Sequence, residues 1–420
     1  MYIKELELYQ SDRNKSFVFS CRDLNFYILE QNYTNELQRI VEGEKPSDEK
    51  VSQELKSINS IEKNDKIDSL KLIVSNTCNM NCKYCYADGG NYGRKNDLMG
   101  ENVAIKVIEF VKNNDIKNIC FFGGEPLLAF DTIKFICNSL KDKVNYLIQT
   151  NGTILNDEII KLLKKYNFDV TVSIDGNKKI NDENRIFKDG KGTYDVISKN
   201  IDKMLDNDIN ISVLEGTITK NTNRIESFSN IEKFLKNRFK GPLVQLEKDI
   251  NDSNIYDDRD KYYSGSIEEI VENFKQGKIL DLGYYKDPID HIISKKYESY
   301  FCGAGTEQIT IDTNGDIYIC PLFIKKNKDK KKLNIMNDRS VNLNLSSKQY
   351  KKSFNKNCDK CIARFNCKRC IATNSTINEE NCATKRKSTE LAIEYIMGLI
   401  ENNQYNNFVQ DYIKFSGRFI

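Results

Sequence analysis

Residues 77–87 read TCNMNCKYCYA and contain three cysteines, Cys78, Cys82 and Cys85, within eight positions. They follow the apolar run KLIVS (71–75) and precede a glycine-rich stretch. Such a group is a fragment of a disulfide framework, a zinc site that lacks one ligand, or a site that needs only three thiolates. The rest of the chain decides between these alternatives.

The composition favours metal chemistry over disulfides. The 420 residues include 13 cysteines, and the start MYIKELELYQSDRNK has no apolar segment of the kind found in secretion signals. We find no apolar run long enough to cross a bilayer, so we predict a cytoplasmic protein without a membrane partner. In a reducing compartment, clustered cysteines more often bind metals or act in catalysis. The single histidine, His291, nearly excludes mixed His–Cys zinc sites and histidine acid–base schemes.

The charges are balanced and scattered along the chain. Lys and Arg number 64, Asp and Glu number 61, and the formal net charge is +3. Charges distributed in this way indicate an ordinary solvated surface. We therefore predict no nucleic-acid partner.

From residue 70 onward, short apolar runs alternate with amphipathic stretches of helical length. The apolar runs are KLIVS, IKNICFF, VNYLIQT, FDVTVSI, INISVLEGTIT and PLVQLE. Strands that alternate with helices predict a mostly parallel sheet, so the fold class is α/β with a partial (β/α)6 barrel. The first cysteine group follows KLIVS, and chemistry in such folds gathers at the carboxyl ends of the strands.

The cysteine distribution and the changes of pattern divide the chain into segments. Residues 1–65 contain three alternating runs followed by helical patterns near 34–43 and 47–62, which predicts a small β-then-α module. Seven cysteines crowd the last third of the chain, and a helix with a basic start follows them. The predicted segments are 1–65, 66–296, 297–385 and 386–420.

Three closely spaced thiolates suit a cubane [4Fe–4S] cluster, in which each iron takes one thiolate. Three protein ligands leave one iron open, and an open metal position is where a substrate or cofactor binds. A partial zinc knuckle is the alternative. It would need a fourth ligand, and no histidine or further cysteine stands nearby in the sequence.

The spacing Cys78-x3-Cys82-x2-Cys85, with the aromatic Tyr84 before the last cysteine, resembles the cluster motif of radical S-adenosylmethionine (SAM) enzymes. The resemblance implies that the open iron chelates the amino and carboxylate groups of SAM. It also implies that one electron from the cluster splits SAM to a 5′-deoxyadenosyl radical. Tyr84 is then a cofactor-binding residue.

Three further stretches, each at the end of a predicted strand, resemble the same family. They are ICFFGGEP (119–126), IQTNGTIL (148–155) and TVSIDG (171–176). Each alone is a plausible turn, but their order matches the family's. The resemblance assigns Gly123, Gly124 and Glu125 to the SAM amino group, Thr150 and Asn151 to the ribose side, and Ser173 with Arg185 to other polar groups of SAM.

The C-terminal cysteines resemble the SPASM extension of radical SAM enzymes, which carries two auxiliary [4Fe–4S] clusters. The seven are Cys302, Cys320, Cys358, Cys361, Cys367, Cys370 and Cys382. The stretch QITIDTNGDIYIC between the first two predicts a β-hairpin that turns at Asn314-Gly315. The chain has two residues between Cys367 and Cys370 where the family has three. A zinc ribbon of Cys358, Cys361, Cys367 and Cys370 is the alternative, and it leaves the other three cysteines unexplained.

Seven thiols are one too few to supply four cysteine ligands to each of two [4Fe–4S] clusters. By resemblance, Cys358, Cys361, Cys367 and Cys382 ligate one cluster completely, and Cys302, Cys320 and Cys370 hold the other. The stretch SKKYESYF (294–301) has no cysteine to complete the second set. That cluster is expected to have an open iron, for which the thiolate of a substrate cysteine is a suitable ligand.

The remaining single cysteines and the histidine carry no predicted chemistry. Cys21, Cys120 and Cys137 stand in apolar sequence and are predicted to be small core residues. His291 is predicted to be structural or exposed. No Asp, Glu or Tyr stands out in the sequence as a catalytic base.

SPASM-type radical SAM enzymes mostly modify peptides and proteins. The element order in residues 1–65 resembles the winged-helix-like module that binds a leader peptide. Together these resemblances imply a maturase of the sactipeptide or ranthipeptide type, which links a cysteine sulfur to a carbon of a ribosomally made precursor peptide. Such an enzyme needs an external electron donor of the flavodoxin or ferredoxin type. The alternatives are a sulfatase-maturing enzyme, which forms formylglycine, and a non-enzymatic iron–sulfur electron carrier.

Overall fold

A computed structural model describes ten stretches of the chain. They are residues 6–10, 16–21, 23–29, 66–249, 266–275, 285–326, 333–337, 350–359, 361–372 and 379–416. The chain divides into two compact units. The helical unit comprises residues 1–64, 259–302 and 347–420, and the sheet unit comprises residues 65–258 and 303–346.

Strands and helices are numbered in chain order. The strands are β1 (Leu6–Gln10), β2 (Ser16–Ser20), β3 (Phe26–Leu29), β4 (Ser69–Ser75), β5 (Asn118–Gly123), β6 (Asn145–Thr150), β7 (Asp169–Ser173), β8 (Ile211–Ile218), β9 (Leu243–Lys248), β10 (Gln308–Ile311) and β11 (Ile317–Tyr318). The helices are α1 (Glu101–Asn113), α2 (Phe130–Leu140), α3 (Asp157–Lys165), α4 (Lys178–Asn184), α5 (Tyr194–Asp206), α6 (Lys220–Ile225), α7 (Phe228–Arg238), α8 (Ile267–Lys275), α9 (Lys286–Ser294), α10 (Phe323–Lys326), α11 (Lys356–Asp359), α12 (Glu379–Glu401) and α13 (Tyr405–Ser416).

The sheet unit is built on one eight-stranded sheet with the strand order β11-β10-β4-β5-β6-β7-β8-β9. The six strands from β4 to β9 are parallel, and helices separate most of them along the chain. This confirms the predicted α/β class. The predicted hairpin is also present, and Gly315 has the positive φ of 84° that its turn requires. The sequence did not predict that β10 would pair with β4 and extend this sheet.

Alternation along the strands separates two chemical faces of the sheet. Apolar side chains such as Leu72, Phe121 and Val172 are fully buried in the core shared with the helices. Each such burial contributes about 1.5–3 kcal/mol. Because successive side chains of a strand point to opposite faces, Lys71 and Cys120 lie on the other side, which we call the inner face. The inner face carries polar groups.

Helix caps begin several helices shortly after the strands end. The side chains of Asn156 and Asn177 accept backbone N–H groups at the starts of α3 and α4. Thr219 and Ser227 do the same for α6 and α7. Each cap stabilises its helix by about 1 kcal/mol. The loops at the carboxyl ends of β6, β7 and β8 are therefore short and well defined.

The helical unit contains the antiparallel sheet β1-β2-β3 and the helices α8, α9, α12 and α13. Its core includes Phe19, Ile289, Phe365, Ile393 and Phe408. The three predicted N-terminal strands are present. The helical patterns predicted near 34–43 and 47–62 lie outside the described residues. In the part of the chain that is described, no helix has the length and apolarity to cross a membrane.

The single cysteines divide between core and inner face. Cys21 and Cys137 are buried in the two hydrophobic cores, as predicted. Cys120 is only half-buried, because its position on β5 faces inward rather than toward the helices. The core prediction for Cys120 was therefore wrong. His291 is buried, and its Nδ1 lies 2.7 Å from the carbonyl of Asp287, which agrees with a structural role.

Candidate active site of the sheet unit

The cysteine loop leaves the carboxyl end of β4 and is attached to the segment that follows α4. The backbone N–H of Asn81 donates to the Ile186 carbonyl at 2.8 Å, and that of Lys83 donates to the Asn184 carbonyl at 3.0 Å. These two bonds hold the middle of the loop across the strand ends. The thiols of Cys78, Cys82 and Cys85 are all half-buried there.

The surroundings of these thiols suit thiolate ligands. The Sγ atom of Cys78 accepts the backbone N–H of Met80 at 3.4 Å and the side-chain amide of Asn151 at 3.6 Å. Burial raises the pKa of the Cys82 thiol to about 11, and the nearby Arg185 opposes that shift. N–H groups that point at sulfur are typical of iron–sulfur sites. Because the thiols must lose protons to bind iron, assembly of a cluster here would release protons.

Gly123 and Gly124 allow β5 to end directly against the start of the cysteine loop. A Cβ atom on Gly123 would lie 2.3 Å from the carbonyl oxygen of Ser75, and one on Gly124 would lie 2.3 Å from that of Thr77. The backbone N–H groups of Gly124 and Glu125 donate to these same carbonyls at 2.9 Å. The close approach that glycine permits is therefore an approach to the protein's own chain. The contact of these glycines with SAM stays a prediction.

Glu125 connects the stretches ICFFGGEP (119–126) and IQTNGTIL (148–155) to the cysteine loop. Its fully buried carboxylate accepts the hydroxyl of Thr150 at 2.8 Å and the backbone N–H of Asn151 at 2.7 Å. The side-chain amide of Asn151 then donates to Asn79, in the cysteine loop, at 2.9 Å. Burial raises the pKa of Glu125, and the N–H of Asn151 acts in the opposite direction. Residues that the sequence placed in three separate stretches form one hydrogen-bonded group.

Tyr84 lies between two buried charges. Its hydroxyl is 2.9 Å from both carboxylate oxygens of Asp175 and accepts a hydrogen bond from Nη1 of Arg185 at 2.9 Å. Burial raises the pKa of Asp175 to about 6, although Arg185 lowers it. The Nε atom of Arg185 is buried and has no hydrogen-bond partner among the residues that the structure describes. An unpaired buried donor costs about 1–3 kcal/mol, so a polar ligand that accepts from it would be stabilised here.

Asp175 was missed at the level of sequence. The signal was present in SIDG (173–176), where Asp175 stands two residues after the predicted Ser173. Ser173 ends β7 and pairs in register with Glu215 of β8. The structure thus places the predicted SAM residues at neighbouring strand ends. It adds Asp175, which follows β7 and whose carboxylate accepts a hydrogen bond from the hydroxyl of Tyr84.

Candidate cluster site of the helical unit

Four cysteines of the helical unit surround one cavity of about 380 Å³. They are Cys358, Cys361, Cys367 and Cys382. Within the described ranges, no three Cys, His, Asp or Glu side chains converge tightly enough to hold a single metal ion. Cys370, which the zinc-ribbon alternative would use, is exposed and does not line this cavity. The geometry groups the four thiols that the resemblance assigns to one auxiliary cluster.

Cations surround the same cavity. They are Lys352, Lys356, Arg364, Arg369, Lys385 and Arg386. Nη2 of Arg369 donates to the Sγ atom of Cys382 at 2.8 Å. Several fixed positive charges around four thiols suit an anionic group such as a thiolate-ligated cluster.

The other three cysteines lie in different units. Cys302 and Cys370 belong to the helical unit, where the backbone N–H of Arg369 donates to the Phe301 carbonyl at 3.0 Å. Cys320 belongs to the sheet unit, in which Tyr86 lies close to it. Their joint ligation of a cluster stays a prediction.

Replacing Lys352 with methionine should destabilise the helical unit. Lys352 is 2% exposed, and its Nζ donates to the carbonyls of Glu298 and Arg364 at 2.6 Å each. Loss of this charged donor removes two buried hydrogen bonds, so we expect the free energy of unfolding to fall by about 2 kcal/mol. Urea unfolding followed by circular dichroism measures the change. Lys356→Met, which removes an exposed cation from the same cavity, should change it by less than about 0.5 kcal/mol.

The cost of Lys352→Met should also depend on pH. Burial lowers the pKa of Lys352 to about 8 in the folded protein, below its usual 10.5. Between these values the unfolded chain binds more protons, so the contribution of this group to stability rises with pH. The difference between wild type and variant should therefore be larger at pH 10 than at pH 7. An equal difference at both values would contradict this assignment.

Comparison with known proteins

Residues 72–234 match the family model described as the radical SAM superfamily. An uncharacterized protein of Methanocaldococcus jannaschii is 30% identical over 267 residues, which cover 61% of this chain and 86% of that protein. The chain belongs to the radical SAM superfamily. Membership of the radical SAM superfamily implies SAM and one [4Fe–4S] cluster as cofactors. The cysteine loop, with N–H groups directed at Cys78, and the buried Nε donor of Arg185 fit these two groups.

Two further radical SAM relatives carry functional names. The radical SAM cyclopropyl synthase TigE of Paramaledivibacter caminithermalis is 28% identical over 295 residues, or 64% of this chain. The chain spans 60% of the length of TigE. A cysteine-type anaerobic sulfatase-maturating enzyme of Clostridium novyi is 28% identical over 284 residues, which cover 61% of this chain and 74% of that enzyme.

Solved structures share the radical SAM fold. The structure of native anSMEcpe with bound AdoMet has a TM-score of 0.59 at 22% identity and covers 80% of this chain and 100% of its own. The structure of Streptococcus suis SuiB bound to the precursor peptide SuiA has a TM-score of 0.52 at 15% identity, with 89% and 95% covered. At such identities these likenesses concern the fold.

Proposed function

We propose that this radical SAM enzyme installs thioether links from a cysteine sulfur to a carbon of a ribosomally made precursor peptide. The observation that carries the proposal is the grouping of C-terminal thiols. Four thiols line one cationic cavity, and Cys302, Cys320 and Cys370 lie outside that group. By resemblance to the SPASM extension, these three are the ligands of a second cluster and are one thiol short of a complete set. An incomplete set leaves one cluster position for a thiolate from a substrate.

Residues of the sheet unit would hold the first cluster and SAM. Cys78, Cys82 and Cys85 are the cluster ligands, and the loop that contains them is fixed by backbone hydrogen bonds. Arg185 and Tyr84 offer polar groups to SAM at the adjoining strand ends. When bound, the cluster and SAM supply a 5′-deoxyadenosyl radical that removes a hydrogen atom from carbon. The same strand ends would hold the acceptor carbon near the ribose side.

The N-terminal sheet is a suitable place for a leader peptide. In β1-β2-β3 both β1 and β3 are edge strands within the described part of this sheet. An extended peptide can add a strand to such an edge through main-chain hydrogen bonds. SuiB, which shares the fold, has been solved with a precursor peptide, and this supports a peptide substrate. The electron donor is proposed to be a flavodoxin or ferredoxin.

A sulfatase-maturing activity is the second candidate. The C. novyi relative carries that name and is as similar to this chain as TigE is, at 28% identity. The N-terminal sheet and the incomplete set of three cysteines favour the peptide maturase. An electron carrier is disfavoured, because the Asp175–Tyr84–Arg185 group and the Glu125 network have no role in electron transfer alone.

Co-expression tests the proposed function. The genes next to the one for this enzyme are searched for a short cysteine-containing peptide. The enzyme is then produced anaerobically together with that peptide, and the peptide is analysed by tandem mass spectrometry. A thioether removes two hydrogens and protects the cysteine from alkylation. Conversion of the cysteine to an aldehyde would identify the sulfatase-maturing activity instead. Loss of two hydrogens with the thiol still free would indicate a bond that does not involve sulfur.

Anaerobic reconstitution should give about 12 irons per chain if three [4Fe–4S] clusters form. The double variant Cys358→Ala/Cys367→Ala removes two thiols from the four-cysteine cavity and should retain about 8. Iron and sulfide analysis with Mössbauer spectroscopy measures both. Cys120→Ala is the matched control and should keep the full content. About 4 irons in the wild-type protein would overturn the auxiliary-cluster assignment.

A further inference from the structure

Glu215 lies on the inner face of the sheet unit, level with the strand ends where SAM is predicted to bind. It is half-buried in β8 and stands beside Ser173 of β7 in the strand register. Its carboxylate accepts a hydrogen bond from the side-chain amide of Gln149, which reaches across β7 from β6. Glu215 is also close to Tyr86, the residue that follows Cys85. The carboxylate is therefore near both the cysteine loop and the strand ends.

Glu215 differs from the two other buried acids of this region in how many hydrogen bonds it accepts. Glu125 accepts from Thr150 and from the backbone of Asn151, among others. Asp175 accepts from Tyr84 and from the backbone of Thr217. In the described part of the chain, the one hydrogen bond to the Glu215 carboxylate comes from Gln149. The carboxylates of Glu125 and Asp175 each accept several hydrogen bonds within the protein, whereas Glu215 keeps acceptor capacity for a ligand on the inner face.

The charges around Glu215 act in opposite directions. Burial raises its pKa, Lys71 lowers it, Glu247 raises it, and the Gln149 bond and Arg185 lower it. Lys71 lies with its Nζ 4.4 Å from the centre of the Phe122 ring. The titratable and charged groups that face Glu215 from the surrounding elements are Lys71 of β4, Cys120 of β5, Asp175 after β7, Glu247 of β9, Arg185 after α4 and Tyr86 of the cysteine loop.

We propose that Glu215 is the general base that takes the proton from the substrate cysteine, an assignment that rests on the proposed function. The S–H bond breaks and an O–H bond forms on the Glu215 carboxylate. The hydrogen atom of the acceptor carbon goes to the 5′-deoxyadenosyl radical. Sulfur and carbon then form the thioether bond, and the one surplus electron reduces an oxidised iron–sulfur cluster of the enzyme. A proton acceptor is required because thiols are mostly protonated at neutral pH.

The main test is the pH dependence of crosslinking of the peptide identified in the co-expression test. The rate should fall as the pH drops through the pKa of Glu215, because the base must be ionised. Glu215→Gln should lower the rate by about 100-fold or more, and Glu215→Asp should recover part of it. A Glu215→Gln rate within threefold of wild type would overturn the assignment.

Two charge variants should shift this fall in rate at low pH, the acid limb of the pH–rate profile, in opposite directions. Glu247→Gln removes an exposed anion that raises the pKa of Glu215, so the limb should shift to lower pH. Lys71→Met removes a cation that lowers this pKa, so the limb should shift to higher pH. These variants keep the test valid if Glu215→Gln does not fold. Shifts in the same direction, or none, would overturn the assignment.

Infrared difference spectroscopy without peptide provides a second readout. A carboxylic-acid band that is absent in Glu215→Gln should titrate in the wild type and follow the same shifts in the two charge variants. A band that does not follow them would contradict the assignment. Absence of any thioether with the wild-type enzyme would overturn the proposed function. Thioether formation by the wild type, with a Glu215→Gln rate within threefold of it, would overturn the role of Glu215 alone.

Discussion

The Cys82→Ala variant should form no 5′-deoxyadenosine from SAM in the presence of a reductant. Cys82 lies in the middle of the cysteine loop, which the hydrogen bonds of Asn81 and Lys83 fix against the segment after α4. Each iron of a cubane cluster needs its own ligand. The two remaining thiols therefore cannot bind a cluster that has three protein ligands and one iron available to SAM. We expect complete loss, measured by anaerobic incubation with dithionite and chromatography of the nucleoside product.

The control for this experiment is Cys120→Ala on the neighbouring strand. Cys120 is also half-buried and near the inner face, but it is not part of the cysteine loop. Removal of one small side chain costs about 1 kcal/mol or less and should leave SAM cleavage intact. Loss of cleavage in both variants would show a general effect on folding. Retained cleavage in Cys82→Ala would contradict the assignment of Cys82 as a cluster ligand.

Replacing Arg185 with methionine should lower the free energy of unfolding by about 3–5 kcal/mol. Arg185 is 6% exposed, and its guanidinium donates to Tyr84, which in turn bonds the fully buried Asp175. Removal of the cation leaves the Asp175 charge without compensation inside the protein. Urea unfolding measures the loss. Arg238→Met, which removes a cation paired with Asp202 at the surface, should cost less than about 1 kcal/mol.

The pH dependence of the Arg185→Met variant follows from the same contacts. The pKa of Asp175 is about 6 in the folded wild type, above its usual 3.8, and Arg185 keeps it from rising further. In the variant the folded state should bind the proton at a higher pH. A raised carboxyl pKa favours the folded state at low pH and loses that contribution as the pH rises through it. The deficit should therefore be larger at pH 8 than at pH 5.5.

A double variant separates charge from packing. Arg185→Met/Asp175→Asn removes both buried charges, so it should recover a large part of the stability lost in Arg185→Met. If the double variant is as unstable as the sum of both single variants, the two residues do not interact through Tyr84. Binding of SAM, followed by calorimetry on the reconstituted enzyme, should stay weak in both variants, because each lacks the guanidinium.

Local patterns were sufficient for the parts of this protein that depend on short sequence distances. The spacing of Cys78, Cys82 and Cys85 indicated the cluster loop, since closely spaced cysteines on one loop can ligate three irons of the same cluster. Alternating strands and helices predicted the parallel sheet from β4 to β9, because hydrophobic periodicity reflects burial within each element. The asparagine–glycine turn of the β10–β11 hairpin was likewise predicted from two residues.

Contacts between distant residues could not be predicted in this way. Tyr84 and Asp175 are 91 positions apart, and the sequence offered no reason to pair them. Gly123 and Gly124 were expected to approach a ligand, and the structure places them against Ser75 and Thr77. Cys120 was expected in the core, and the alternation of side chains along β5 places it on the inner face.

The sequence by itself determined the α/β class, the cysteines available for clusters and the motifs whose resemblance to a known family implied radical SAM chemistry. These follow from residue type and spacing along one stretch of chain. Only the tertiary structure decided which charges are buried together and which of the many carboxylates lies on the inner face beside the strand ends. Those properties depend on strand order and register, which bring together residues far apart in sequence and set how much water surrounds each charge.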